Sequence, residues 1–265
     1  MSTLKTLQSP GLGATGALAD DIRALAPWFH NLHLPGGEQT APDHPLGDYP
    51  SFKWKALATC LPGDMHGLRV LDIGCNAGFF AFECARLGAE VVAMDHDPRY
   101  LAQASWAARH LGLASRVSFR RQDVYALAGV RERYDIVLFM GVFYHLRHPL
   151  LGLDLAASVC GETLVFQSLG IEGPAGVETG DPGYLGRDRL REDGWPKMAF
   201  VEGEFAGDPS NWWLPNPSCM EAMVRSCGFA PQAQSGDVYI ARRTGGAVHA
   251  DERTAALVEG LRSGR

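Results

Sequence analysis

From residue 69 onward, short apolar runs alternate with segments in which apolar residues recur every three or four positions. The first pattern is typical of strands buried on both faces, and the second is typical of amphipathic helices. The predicted strands are Arg69–Ile73, Glu90–Asp95, Val117–Arg120, Tyr134–Met140 and Thr163–Ser168. The predicted helices between them are Phe79–Leu87, Pro98–Leu111 and Pro149–Val159. This alternation predicts an α/β fold with a doubly wound, mostly parallel Rossmann-like sheet and helices on both faces.

Four segments are expected along the chain. Residues 1–50 form an N-terminal arm and a pocket-covering segment, because residues 28–49 are rich in proline and histidine and lack periodicity. Residues 51–168 form the cofactor-binding core. Residues 169–212 form a long, glycine-rich and acidic insertion after the fifth strand, typical of a lid or acceptor site. Residues 213–265 complete the core. The remaining predicted elements are helices at Leu18–Ala26, Pro217–Cys227 and Asp251–Arg262 and an antiparallel edge strand at Val238–Ala241.

Composition narrows the class of protein. The 46% apolar and 20% charged content is typical of a folded globular protein, and the net charge of -6 argues against a generally basic nucleic-acid binder. No run reaches the roughly 18 apolar residues of a membrane helix. Six cysteines without a C-x-x-C pair are typical of free thiols in a reducing compartment. We therefore expect a cytoplasmic protein that needs neither a membrane nor a protein partner.

A glycine-containing turn, Asp72–Gly78, follows the first strand. Glycines let the backbone turn tightly against a ligand, and the helix that follows offers free N–H groups. A dinucleotide fingerprint requires G-x-G-x-x-G, but Asn76 stands where the middle glycine would be, which weakens an NAD interpretation. The carboxylate of Asp72 suits a ligand that has an ammonium group and no phosphate. S-adenosylmethionine (SAM) is such a ligand.

Two further acids follow the next two strands. Asp95 ends the second strand, at the offset where a carboxylate accepts hydrogen bonds from ribose hydroxyls, and Asp123 follows the third strand, where it is suited to an adenine amino group. Each acid alone also fits a structural role, because Asp commonly caps helices and starts turns. The three acids together favour SAM.

Three blocks of sequence, Val70–Cys75, Val92–Asp95 and Met140–His145, resemble the class I SAM-dependent methyltransferases. More narrowly, residues 28–229 resemble the tRNA wobble-uridine methyltransferases, which make methoxy- or carboxymethoxyuridine. The resemblance implies SAM as cofactor. The predicted cofactor-binding residues are Lys53, Asp72, Gly74, Cys75, Asn76, Gly78, Asp95, His96, Asp123, Val124, Met140 and Gly141.

The same resemblance bears on the donor and the acceptor. In carboxymethyl-transferring members, a lysine and a tyrosine that match Lys53 and Tyr144 assist an arginine in holding the extra carboxylate of carboxy-SAM. Gly236 stands in that arginine's place, so ordinary SAM is the expected donor. The insertion is longer than the family's equivalent, and together with the acidic charge this favours a small-molecule acceptor over tRNA.

The predicted catalytic residues follow the fourth strand. His145 is the favoured general base, with Tyr144 and His148 beside it, because imidazole titrates near neutrality. The alternative is that His145 only shapes the turn. The histidine pairs in this chain lack a clear third ligand, so no metal is expected.

Aromatic residues are the candidates for binding the acceptor, although core packing is the more common role for aromatics near apolar runs. They are Phe29, Tyr184, Trp212 and Trp213. The resulting hypothesis is transfer of a methyl group from SAM to a hydroxyl or amine of a small metabolite or natural-product intermediate. The alternatives are a tRNA wobble-uridine methyltransferase and a non-catalytic nucleotide-binding module.

Overall fold

The five apolar runs form five neighbouring parallel strands in the computed structural model, which describes residues 15–176, 179–244 and 260. The strands are β1 (Arg69–Ile73), β2 (Glu90–Asp95), β3 (Val117–Arg121), β4 (Tyr134–Met140), β5 (Cys160–Gln167), β6 (Met198–Phe200), β7 (Trp213–Pro215), β8 (Phe229–Ser235) and β9 (Val238–Arg243). The main sheet has the order β3-β2-β1-β4-β5-β9-β8, and β6 and β7 form a separate pair. The predicted Rossmann-like class is confirmed.

Helices cover both faces of this sheet. They are α1 (Thr15–Ala24), α2 (Ser51–Leu57), α3 (Phe79–Arg86), α4 (Pro98–His110), α5 (Pro149–Val159) and α6 (Pro217–Ser226), and short 3-10 helices lie at Ala58–Cys60, Val124–Gly129, Phe143–His145 and Tyr184–Arg191. One apolar cluster joins the sheet to α3 and α4, and a second joins its other face to α5 and α6. The doubly wound arrangement therefore gives the molecule two cores.

The predicted edge strand is placed differently from the expectation. Strand β9 is antiparallel, but it lies between β5 and β8, where its first four residues are buried. The edge strand is β8, which the sequence analysis missed. Pro231 lies within β8 beside a shift in its register against β9, and proline is tolerated at such edges because it donates no hydrogen bond.

The insertion contains more structure than a loop-like composition predicts. Strand β6 pairs with β7, so that Phe200 lies opposite Trp213 and the end of the insertion is tied to the core. Helix α2, also missed, carries Lys53. Residues 1–14 of the predicted arm, and the predicted C-terminal helix apart from Gly260, lie outside the described residues. No helix of the described chain has the length and apolarity needed to cross a membrane.

Strand order fixes where a ligand binds. The chain runs outward through β1, β2 and β3, then returns to place β4 on the other side of β1. In open α/β sheets, the loops leaving two such neighbouring strands diverge and leave a crevice at the carboxyl ends. The glycine turn after β1 and the segment after β4 border this crevice.

Candidate active site

A cavity of about 690 Å³ occupies the crevice. This volume lies within the range of roughly 300–1,000 Å³ that is usual for small-molecule sites. Its walls come from the carboxyl ends of the strands, the N-terminal segment and the end of the insertion. The predicted residues that line it are Phe29, Lys53, Asp72, Gly74, Asn76, Asp95, His96, Asp123, Val124, Met140, Gly141, Tyr144 and His145.

The turn after β1 keeps a glycine-like shape although its middle residue is Asn76. Asn76 has φ of 50°, a left-handed conformation in which asparagine is one of the few tolerated side chains. Its N–H donates to Oδ2 of Asp95 at 2.9 Å, and its Oδ1 accepts from the N–H of Ala77 at 2.8 Å. Gly74 also has positive φ, and a Cβ there would overlap Val142. The missing middle glycine is therefore replaced by a residue that adopts the same backbone shape.

Asp72 is a buried acid with an unused oxygen. Its side chain is only 3% exposed, and Oδ2 has no hydrogen-bond partner among the described residues. Burial, followed by the negative charge of Asp95, raises the pKa of Asp72 to about 7. A buried carboxylate without a partner is costly, and a cationic group relieves that cost. The ammonium group of SAM has the charge that this position lacks.

Asp95 and Asp123 also have local structural roles. Asp95 accepts from the N–H groups of Asn76 and Asp97, both at 2.9 Å, and thereby ties the glycine turn to the end of β2. One oxygen of Asp123 caps the 3-10 helix Val124–Gly129 by accepting from two of its backbone N–H groups. The second oxygen of Asp123 makes no such cap contact. Both acids are held rigidly at the cavity wall.

A group of polar side chains, here called the Lys53 corner, consists of Lys53, Tyr144, Gln167 and Asp237. Nζ of Lys53 lies 3.0 Å from Oδ2 of Asp237, and Nε2 of Gln167 donates to the same oxygen at 2.6 Å. A Cβ built on Gly141 would lie 3.8 Å from the Tyr144 hydroxyl and 3.9 Å from Oε1 of Gln167, so both converge above this glycine. Asp237 thus neutralises the lysine beside the cavity.

His145 contacts two residues of the insertion. Nδ1 of His145 lies 2.8 Å from Oγ of Ser210, and that hydroxyl donates to Oδ1 of Asp208 at 2.6 Å. Burial lowers the pKa of His145, and the charge of Asp208 opposes that effect. The imidazole is therefore largely neutral near pH 7 and is able to accept a proton.

The N-terminal segment contributes an aromatic wall. Phe29 packs edge-on against Tyr49 at a centroid distance of 5.1 Å, and His30 lies between these rings and Phe80. His30 is 5% exposed, and its Nδ1 has no hydrogen-bond partner within the described chain. Burial lowers the pKa of His30 to about 3, so the ring is neutral. This wall offers an apolar face and one unused polar atom.

Some predicted site residues lie outside the cavity lining. Cys75 is buried, and Gly78 packs against α3 and α4, since a Cβ there would lie 2.7 Å from Phe82. The exposed His148 precedes α5, and its backbone N–H donates to the hydroxyl of Tyr125 at 3.1 Å. Tyr184 is 81% exposed on the insertion.

The two predicted tryptophans pack next to the cavity wall and are not among the residues that line it. The backbone N–H of Trp212 donates to the carbonyl of Tyr144 at 2.8 Å, and the Trp212 ring stacks on Phe200. Trp213 lies in β7 and packs on the same phenylalanine. Both anchor the insertion beside His145, which is the packing role that was the alternative for these aromatics.

Sequence reasoning missed several residues that line the cavity. They are His30, Tyr49, Ile73, Phe80, Asp97, Tyr100, Gln122, Val142, Leu146, Gln167, Asp208 and Ser210. Asp97, Gln122 and Val142 are immediate neighbours of predicted positions and were within reach of the strand-end argument. The pair Asp208 and Ser210 had only a weak local signal, an acid two residues before a serine. Among the described residues, no group of three or more His, Cys, Asp or Glu side chains is arranged to hold a metal ion.

Comparison with known proteins agrees with this geometry. Residues 70–159, which span β1 to α5, match a family described as a methyltransferase domain. The chain therefore contains a class I SAM-dependent methyltransferase domain. The methyltransferase resembles the ubiquinone biosynthesis O-methyltransferase of Cereibacter sphaeroides, with 42% identity over 103 residues that make up 39% of each protein. It also resembles the tRNA U34 carboxymethyltransferase of Pseudomonas aeruginosa, with 31% identity over 185 residues, 68% of this chain and 49% of that protein.

Solved structures agree on the fold. The N-terminal domain of EvdMO1 with bound S-adenosylhomocysteine has a TM-score of 0.56 and 20% identity, and the match covers 89% of this methyltransferase and 98% of that domain. The chain spans half or less of the length of the two curated relatives. The predicted family, its cofactor SAM and the resemblance to the tRNA U34 enzymes are confirmed, while the acceptor is a separate question.

Proposed function

We propose that the methyltransferase transfers a methyl group from SAM to a hydroxyl or amine of a small-molecule acceptor. The observation that carries the proposal is that one cavity holds three strand-end acids and His145 together. The acids suit the charges and hydroxyls of SAM, and the histidine suits an acceptor that must lose a proton. When bound, SAM supplies an electrophilic methyl group on a sulfonium.

Each acid has a proposed partner on the cofactor. Asp72 holds the ammonium group, since its buried Oδ2 has no other hydrogen-bond partner among the described residues. Asp95 accepts from the ribose hydroxyls, and the second oxygen of Asp123 accepts from the adenine amino group. Met140 is the last residue of β4 and Gly141 follows it, and both lie along the methionine portion of SAM. Preorganised acids of this kind bind well because they need no rearrangement.

The charge of the cavity supports a neutral or cationic acceptor. Five aspartates line it, and Lys53 is the only lysine or arginine in its described lining. That lysine is already paired with Asp237. An acceptor with phosphate groups meets repulsion here, whereas nucleic-acid sites carry clustered Lys and Arg. Phe29 and Tyr49 offer a neutral or cationic acceptor an aromatic surface.

Charge also supports ordinary SAM as the donor. An additional carboxylate on the donor needs a free cation, and the cation of Lys53 is shared with the carboxylate of Asp237. Gly236 offers no side chain to supplement it. The relative from Pseudomonas aeruginosa is named as a carboxymethyltransferase. We propose that this chain differs from it in the transferred group.

A transfer assay with methyl-labelled SAM tests the proposal. The acceptors are phenols, catechols, aliphatic alcohols and primary amines, each incubated with the wild type and with His145→Gln. Label is expected in at least one hydroxyl or amine class, and the rate with His145→Gln should be at least about a hundredfold lower. Binding of SAM without transfer to any class would contradict the proposal and favour a non-catalytic nucleotide-binding module.

A second candidate is methylation of wobble uridine in tRNA. The observation that favours it is the match to a tRNA U34 enzyme over 68% of this chain. Binding of bulk tRNA at two salt concentrations separates the candidates, because contacts to phosphates weaken steeply with salt. Tight, salt-sensitive binding would favour tRNA. Absence of binding at low salt would exclude it.

A further inference from the structure

The end of the insertion is fastened next to His145. The N–H of Trp212 donates to the carbonyl of Tyr144 at 2.8 Å, directly beside the histidine. Within the loop, Phe205 and Asp208 exchange backbone hydrogen bonds, and the buried Asn211 donates its side-chain amide to the carbonyl of Phe205 at 2.8 Å. The loop is thus closed on itself and docked at one point. Its polar side chains therefore have fixed positions relative to the imidazole.

The hydrogen bonds of Ser210 can be assigned by counting protons. A serine hydroxyl has one proton to donate, and an ionised carboxylate only accepts. The hydroxyl of Ser210 lies 2.6 Å from Oδ1 of Asp208, and the N–H of Ser210 donates to the same oxygen at 2.7 Å. Ser210 is therefore the donor in both of its hydrogen bonds to Asp208. The hydroxyl proton is committed to the carboxylate.

The assignment of Ser210 determines the protonation of His145. Nδ1 of His145 lies 2.8 Å from the Ser210 oxygen, which has only lone pairs left to offer. A hydrogen bond at this distance requires that Nδ1 carries the proton. In a neutral imidazole the other nitrogen, Nε2, then has a free lone pair. That nitrogen is the basic atom of a residue that lines the cavity.

We propose that Ser210 and Asp208 are positioning residues that hold neutral His145 as the Nδ1–H tautomer, so that Nε2 takes a proton from an acceptor hydroxyl. The inference rests on the proposed methyl transfer and applies to its hydroxyl acceptors, because a neutral amine can attack before it loses a proton. The hydroxyl proton moves to Nε2, the oxygen forms a bond to the methyl carbon, and the carbon–sulfur bond breaks. The products are a methyl ether, S-adenosylhomocysteine and an imidazolium, whose charge Asp208 stabilises through Ser210.

Nitrogen NMR on histidine-labelled full-length protein tests the tautomer without acceptor or SAM. The His145 signals are assigned by their loss in His145→Gln. We expect the wild type above pH 7 to show a protonated Nδ1 and an unprotonated Nε2. Ser210→Ala should shift His145 toward a mixture of tautomers, whereas Ser226→Ala, at the end of α6, should leave it unchanged. A dominant Nε2–H tautomer in the wild type, or no response to Ser210→Ala, would overturn the inference.

Kinetics of Asp208→Asn test the catalytic consequence. The charged or titratable side chains that act on His145 are Asp208 from the insertion, His96 from the end of β2 and the neighbouring Tyr144. Loss of the Asp208 charge should lower kcat by at least roughly tenfold with little change in KM. This effect is smaller than that of removing His145, because a positioning residue supplies only part of the contribution of a general base. It should also move the acidic limb of the rate profile to lower pH.

The two experiments separate the inference from the proposed function. The wrong tautomer in a protein that transfers methyl groups would overturn only the roles of Ser210 and Asp208. The expected tautomer in a protein that transfers nothing would contradict the proposed function and the base role of His145 together. An Asp208→Asn variant with native kcat and an unshifted pH profile would contradict the positioning role.

Discussion

The two halves of the cavity are built in different ways. The cofactor half consists of residues at the ends of adjacent strands, with Asp72 in β1 and Asp95 at the end of β2, where the parallel register holds their spacing. The proposed acceptor half combines Phe29, His145 and Ser210, which come from three segments distant in sequence. The first half is positioned by the sheet and the second by loops that dock on it. A protein built this way can retain its donor while its acceptor changes.

The largest expected effect lies in the acceptor half. His145→Gln should lower kcat at least about a hundredfold because it removes the proposed base, yet it should leave SAM affinity near the wild-type value. The measurements are steady-state kinetics and calorimetric titration of SAM. His66→Gln, a surface change before β1, is the matched control. If kcat stays near the wild-type value, His145 has the role of shaping the turn instead.

Asp95→Ala should weaken the binding of SAM, whereas His145→Gln should leave SAM affinity near the wild-type value. Loss of hydrogen bonds to a charged acceptor costs about 1.5–3 kcal/mol, so the Kd for SAM should rise by one to two orders of magnitude. Calorimetry measures the change, and circular dichroism checks that the glycine turn still allows folding. Asp64→Ala, on the loop before β1, should bind SAM normally. Unchanged affinity in Asp95→Ala would remove this acid from the cofactor site.

The contrast between the two halves also explains which parts of the structure could be predicted from the sequence. Strands β1, β2 and β4 and helix α5 have the predicted bounds because their apolar runs are buried on both faces and end at clear turns. Acids at the ends of those strands could be placed by counting along the chain. The edge strand β8 could not, because its residues are only partly buried and include Pro231.

The acceptor half was predicted less completely for a related reason. Ser210 and Asp208 reach His145 only through the docking of a loop, and no periodicity records a contact between residues so far apart. Tyr184 and Trp212 matched the expected chemistry of an acceptor pocket, but chemistry alone does not give position. Packing directs Trp212 to the back of the site and leaves Tyr184 exposed.

A pH effect of intermediate size is expected for SAM binding. The pKa of Asp72 is about 7, and only the ionised form attracts an ammonium group. Affinity should therefore be full above pH 7 and fall as pH decreases, by up to about tenfold per unit. Titrations between pH 5.5 and about 8.5 measure this dependence, and Asp72→Asn should abolish it. A flat profile in the wild type would separate Asp72 from the ammonium.

The smallest expected effect concerns the Lys53 corner. Asp237→Asn frees the charge of Lys53, so affinity for carboxy-SAM should rise by about two- to fivefold while affinity for SAM changes little, as expected for a partly exposed ion pair. Competition binding with the two donors measures the ratio. A higher affinity for carboxy-SAM than for SAM in the wild type would contradict the proposed donor.

Titration of the wild type with SAM and, separately, with NAD tests the central claim most directly. Both ligands contain adenosine, but only SAM brings an ammonium group and no phosphate to the buried Asp72. The account predicts saturable binding of SAM at one site and no measurable binding of NAD. Binding of NAD without binding of SAM would contradict it.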